Sequence, residues 1–196
     1  MIKSANASGA EILAAARPAS PLDWLGLILL LDQIPRNSFR GSEARTAFVT
    51  FDPKALEIAL LAIEAGIPEN LQIRYRLAYR FWFYLPLQHS ESLKIQEMSM
   101  REHEKMFNDV RILINTPTKG SAADIGDIDT LKCQAVLCRN KEGFDSWEGA
   151  MMDIVKAHKD IIDQFGRYPH RNQALGREST KDETEYIETG GRTFGS

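Results

Sequence analysis

The eight residues Phe165–Asn172, FGRYPHRN, hold two arginines, a histidine and an asparagine around Pro169. That density of planar hydrogen-bonding groups suits a site that orients a carboxylate, a phosphate or a buried backbone turn. Two other segments share the character: LDQIPRNSFRG, from Leu31 to Gly41, and LPLQHSESL, from Leu85 to Leu93. If the three converge, Arg36, Arg40, Arg167 and Arg171 offer guanidinium forks to an anion. Asp32, Gln33, Asn37, Asn172 and Arg177 would complete the binding surface. His89 or His170 would then transfer a proton, oriented by Glu91 or Asp32. A structural role competes at each point. Asp32 and Arg36 are four apart and can pair across one helical turn. Ser90 suits a helix N-cap, and the third segment's arginines suit bridges to Asp32 or Glu91. His-Ser-Glu in succession is not a triad, because triads are assembled in space.

Other chemistries lack their signatures. There is no G-x-x-x-x-G-K-[ST], no G-x-G-x-x-G, no G-x-S-x-G and no H-E-x-x-H. His103-Glu104 has no second histidine at the zincin spacing, and His103 and His158 read as solvated helix-face residues. A metal site from His89, Glu91 and His170 has little support in ligand spacing, so neither metal nor cofactor is expected. Cys133 and Cys138 read as free thiols in a reducing compartment.

A chain of 196 residues, 43% hydrophobic and 26% charged, is ordinary for a globular protein. A net charge of -3 and a pI of about 5.8 argue against a nucleic-acid or anionic-membrane partner. The longest apolar run, Leu25 to Leu31, is far short of the ~20 residues that cross a bilayer. The N-terminus makes a poor signal peptide, so a cytoplasmic location is the default expectation.

The elements that must position these residues are helical almost throughout, which predicts an all-α fold. An apolar helix is expected over Leu22–Ile34, between Pro21 and Pro35. Asp52 is expected to cap a second, with Pro53 at its first position, an apolar stripe at Leu56, Ala59, Leu60 and Ile63, and a stop at Gly66. Ile73–Tyr84 reads as an aromatic helix with Arg74, Arg76 and Arg80 snorkelling to solvent. Long helices follow over Glu91–Val110 and Asp145–Phe165, the latter closed by Gly166. Thr180 to Glu183 matches a capping box for a last helix. Residues 115–143 read as a long irregular insertion, with one short helix at Ile128–Leu137. Residues 1–20 are expected to be poorly ordered or a short helix, ahead of a single domain over 21–196. Antiparallel pairs joined by short turns imply a bundle or a helical-hairpin array.

Together the three polar segments resemble the bacterial and fungal domain-of-unknown-function family nine-two-four. The resemblance rests on Asp32-Gln33-Ile34-Pro35-Arg36-Asn37 followed by Phe39-Arg40-Gly41, then on Pro86 with His89-Ser90-Glu91. It is completed by Phe165–Asn172, then Leu175-Gly176-Arg177, Ser179-Thr180 and Glu183. It covers about residues 22–194 and implies a TPR-like fold without assigning an activity. Family members usually carry further helices ahead of the first motif, and residues 115–143 look longer than the usual connection. A missing layer would expose apolar surface, which makes a homo-oligomer one expected way to cover it.

Two functions follow as expectations. The first is a cofactor-independent enzyme that acts by acid-base chemistry on a small anionic or carbonyl-bearing substrate. The second is a TPR-like binding module for a peptide or protein partner. An enzyme should show an enclosed pocket with a histidine of strongly perturbed pKa, and a module should show an open groove lined by arginines.

Overall fold

The computed structural model describes residues 6–117 and 128–194. Among them all regular structure is helical, so the fold is all-α. The principal helices are α1 (Gly9–Ala16), α2 (Pro21–Ser38), α3 (Asp52–Glu64), α4 (Leu93–Asn115), α5 (Ile128–Arg139), α6 (Lys141–Phe165) and α7 (Lys181–Glu188). Short helical turns fill the connections.

Local sequence explains most helix ends. Capping boxes start α1 with Ser8 and Glu11, α2 with Ser20 and Asp23, and α7 with Thr180 and Glu183. In each, side chain and backbone satisfy two otherwise orphaned N–H donors. Gly166, at φ 68, closes α6 in the left-handed region that glycine enters without strain. The expected short helix within residues 115–143 is present as α5, and α6 already begins at Lys141. The irregular stretch is therefore shorter than expected, and residues 118–127 lie outside the described ones. The N-terminal segment forms α1, which packs on α3 so closely that a Cβ at Gly9 would lie 2.8 Å from the Lys54 carbonyl oxygen.

The core gathers α2, α3, α4, α6 and residues 83–87 around Ile28, Ile58, Phe83, Leu87 and Phe107. α3 turns Ala55, Ile58, Ala59 and Ala62 inward, at i, i+3, i+4 and i+7. The expected stripe is thus rotated: Leu56, Leu60 and Ile63 flank it, half-buried. Small alanines at the centre allow the neighbouring helix to approach closely.

Four expectations about helix boundaries are corrected. α2 does not stop before Pro35 but runs through it to Ser38, and Pro35 is buried. Asp52 does not cap α3; a π-helical turn over Ala47–Phe51 leads straight into the helix, freeing the Asp52 carboxylate for another partner. Glu91 lies outside α4, which begins at Leu93, and Ser90 accepts a bond from the Ser92 amide at 3.2 Å rather than capping the helix. Residues 73–84 do not form one helix but two short turns, Leu77–Arg80 and Phe81–Phe83.

Arg80 is the reason for that last departure. Its side chain is fully buried, not snorkelling. It donates to Asp109 at 2.6 Å, to the Tyr84 hydroxyl at 2.9 Å, to Glu69 at 3.2 Å and to the Arg74 carbonyl at 3.2 Å. Arg74 takes the other Asp109 oxygen. A buried guanidinium is tolerated only when its donors are met, and here the backbone of 74–84 is bent to meet them. Arg80→Ala is expected to lose about 3 kcal/mol of unfolding free energy in urea, the scale for breaking one side of a buried pair. A loss under about 1 kcal/mol would match an exposed pair instead.

His103 and His158 are likewise buried rather than solvated. Each ring donates to a carbonyl one turn back, Ser99 and Ile154, at 2.8 Å. His103 also meets the Gln88 amide at 3.2 Å. Burial depresses His103 to about 4 and His158 to about 3, both below the ordinary 6.5. From pH 6.5 downward the unfolded chain binds protons that the folded chain refuses. Stability is therefore full above pH 6.5 and falls as the pH drops toward 4. Each histidine contributes up to about 1.4 kcal/mol per pH unit to that fall. Urea unfolding between pH 7 and 4.5 should show it, with a shallower slope for His103→Gln; a flat profile would contradict the burial.

Candidate functional site

Continuing α2 past Pro35 places Asp32 and Arg36 one turn apart on the same face. Asp32 is almost fully buried, and three groups reach its carboxylate. His89 Nδ1 lies 2.6 Å from Oδ1, Gln33 donates to Oδ2 at 2.5 Å, and Arg36 Nε stands 3.6 Å from Oδ1. Burial alone would raise the Asp32 pKa. The His89 and Arg36 contacts outweigh that and hold it below the ordinary carboxylate value. An ionised carboxylate only accepts, so the proton between Asp32 and His89 belongs to Nδ1. Burial, only partly offset by Asp32, lowers the His89 pKa and keeps the ring neutral. Its Nε2 therefore carries the lone pair and has no partner among the described residues.

Two guanidinium groups and one more carboxylate surround this pair. Asp52, presented by the π-helical turn, accepts from Arg36 at 2.6 Å and lies 3.6 Å from Arg171. Arg171 donates to the His89 carbonyl at 3.0 Å and sits between the rings of Phe48 and Tyr168, at 4.6 and 4.5 Å. Arg36 faces the same Phe48 ring at 5.8 Å. With His89 neutral, two carboxylates balance two guanidiniums. Burial and the nearby Arg36 charge lower the Arg171 pKa, which marks a cation held where an anion would be welcome.

Phe48 also lines a cleft of about 340 Å³, together with Gly41, Ser42, Ala44, His170, Gln173 and Ala174. Burial pushes His170 down to about 4, so this ring too is neutral near pH 7. The Phe194 backbone lies near enough to favour its charged form, yet neither ring nitrogen completes a hydrogen bond of ordinary geometry. Both are buried, as are Arg36 Nε, Arg171 Nε and Asp52 Oδ1, which also have no hydrogen-bond partner among the described residues. Buried polar atoms are nearly always satisfied. Such atoms occur elsewhere among the described residues, at Gln96, Asn172 and Arg177 among others, but five on four neighbouring residues is their densest grouping.

The remaining expected site residues are placed differently. Glu91 is held by both Arg177 nitrogens, at 2.7 and 2.9 Å, and by the Tyr168 amide at 2.9 Å. Arg167 forms a two-point pair with Glu183, at 2.6 and 2.7 Å, and Asn172 donates to the same carboxylate at 3.2 Å. These contacts clasp the C-terminal segment onto the turn before α4. Asn37 donates to the Gln33 carbonyl, and Arg40 to Asn37, at the exposed end of α2. The structure thus brings Asp32, Gln33, Arg36, His89, His170 and Arg171 to one region, and sets Glu91, Arg167, Asn172 and Arg177 in the clasp beside it.

Asp52, Phe48, Tyr168 and Gln96 were missed. Gln96 donates to the Gln88 and Ser90 carbonyls, at 2.8 and 2.6 Å, and to the Tyr168 hydroxyl at 2.9 Å, which fixes the turn that carries His89. Asp52 looked like a cap because Pro53 follows it. Only the π-helical turn redirects it, and that turn has no sequence signature. Among the described residues no group of three or more His, Cys, Asp and Glu side chains is arranged to hold a metal ion. No described helix is long and apolar enough to cross a membrane.

Comparison with known proteins agrees with this architecture. A protein of unknown function from Agrobacterium tumefaciens, ATU0120, has a solved structure that superposes with a TM-score of 0.58 at 28% identity. The match covers 92% of this chain and 78% of that one. No curated protein matches the sequence. Residues 2–191 match the family described as "Bacterial protein of unknown function (DUF924)". All three polar segments fall within that span, and the chain belongs to this family.

Proposed function

We propose that the protein is a cofactor-independent enzyme that moves a proton on a small anionic, carbonyl-bearing substrate. The observation that carries this reading is the Asp32–His89 pair, 2.6 Å apart, in a region that also holds the buried guanidiniums of Arg36 and Arg171. Asp32 holds the ring in the tautomer whose Nε2 accepts a proton. Arg36 and Arg171 offer charge to a substrate anion, or to the oxyanion that develops when a proton leaves the carbon next to a carbonyl. His170, neutral in the cleft wall, offers a donor or an acceptor to the same molecule. The cleft suits a small molecule. A TPR-like array holding a peptide in an open groove is the competing reading. The arginines outside the site weigh against it: Arg167 and Arg177 spend their charge on Glu183 and Glu91 within the protein.

The test is hydrogen-deuterium exchange by NMR on 2-oxo acids and malonate in heavy water, with thermal shifts recorded for the same compounds and for inorganic phosphate. At least one compound should exchange faster with protein than in buffer. His89→Gln should slow that exchange by about 10²- to 10⁴-fold, the contribution of a general base, while keeping the thermal shift. If no compound exchanges above buffer and none shifts the melting temperature, the reading fails.

A further inference from the structure

α5 is turned inside out. A surface helix ordinarily buries its apolar side chains, yet α5 buries Thr130 and Gln134 and leaves Val136 57% exposed. Gln134 explains the inward polar face, since its amide donates to the Leu113 and Thr116 carbonyls at the end of α4, both at 2.7 Å. The outward face is only partly used within the protein: Leu137 packs against the core and Asp129 pairs with Arg76, but Val136 is left in water. It carries Asp129, Lys132, Cys133, Val136 and Leu137, at i, i+3, i+4, i+7 and i+8, and forms one wall of a cleft of about 490 Å³. The segment Tyr75–Tyr79 forms the other wall, with Tyr79 41% exposed.

The cleft is graded along its length. At one end Arg76 and Lys132 share a single carboxylate, Asp129, at 3.1 and 3.6 Å, leaving an excess of one positive charge among these three. The middle is apolar, with Leu77, Ala78, Val136 and Leu137. The same four residues continue into a second hollow of about 320 Å³ that reaches Phe144 and Trp147. From Asp129 to Leu137, the α5 residues that touch these hollows span ~12 Å at the helical rise of ~1.5 Å per residue.

We propose that this cleft binds a medium-chain carboxylate, a single anionic head on an unbranched apolar tail. The head lies at Lys132 and Arg76, where the local charge is unbalanced. The tail runs over Leu77, Ala78, Val136 and Leu137 toward Trp147, covering apolar surface that α5 otherwise leaves in water. The site is separate from the Asp32–His89 region, shares no lining residue with the His170 cleft, and does not depend on the proposed enzymatic reading.

Cys133 supplies an internal reporter, because its thiol lies in the cleft wall while Cys138 lies outside both hollows. In a Cys138→Ser protein, the rate of Cys133 alkylation is measured with decanoate and with decanol. Decanoate should slow alkylation several-fold and saturably, and decanol should protect much less. Lys132→Glu, on a side chain 72% exposed, places a carboxylate beside the thiol and slows basal alkylation. Protection is therefore read as the ratio to each protein's own unprotected rate, and in Lys132→Glu decanoate should leave that ratio near one. No protection by decanoate would overturn the proposal. Protection that survives Lys132→Glu, or that decanol matches, would overturn the assignment of an anionic head.

Discussion

The burial of Asp32 is the constraint on which the site depends. A carboxylate withdrawn from water is tolerated only if donors replace its hydration. Its own helix supplies Gln33 and Arg36, but neither brings a second segment to it. The donor that does is His89, some 57 positions away in the chain. Satisfying Asp32 therefore requires the turn after residues 85–88 to lie against α2. Gln96, Tyr168 and the Glu91–Arg177 pair then hold that turn in place. The Tyr168 hydroxyl reaches the Gln88 carbonyl, and the adjoining Arg171 reaches the carbonyl of His89 itself.

The two groups of polar residues thus divide the work. The clasp of Glu91, Arg167, Asn172, Arg177 and Glu183 is built on two-point ion pairs that rigidify a segment otherwise made of short turns, and leaves only Asn172 Oδ1 and Arg177 Nε without partners among the described residues. The group around Phe48 keeps buried donors and acceptors without protein partners. A structural network is expected to complete its bonds; a binding site is expected to hold some in reserve for its ligand. Removing a clasp residue should therefore disturb the site indirectly, by loosening the turn that carries His89, and its effects should not add to those of His89 itself.

What could be read from the sequence was whatever local geometry decides. The Thr180–Glu183 capping box, the Gly166 stop and the pairing of Asp32 with Arg36 each depend on residues within four positions, and each appears as expected. So does the convergence of the three polar segments, because their unusual composition needed mutual partners. What long-range partners decide could not be read. Arg80 looked like a surface arginine because Asp109 and Glu69, which make its burial tolerable, lie on other elements. His103 and His158 looked solvated because their charged neighbours in sequence face outward while the rings face the core. Asp52 looked like a helix cap because the π-helical turn that redirects it leaves no local trace.

Burial keeps His89 neutral, while Asp32 fixes its proton on Nδ1 and leaves a free lone pair on Nε2. Long-range ¹⁵N NMR of the histidine side chains at pH 7, assigned with His89→Gln, tests this most directly. The Nδ1–H tautomer is expected for His89, with a titration midpoint below 6.5 and loss of the single tautomer in Asp32→Asn. A spectrum showing the Nε2–H tautomer, or a ring that titrates near 6.5 and ignores Asp32→Asn, would contradict it.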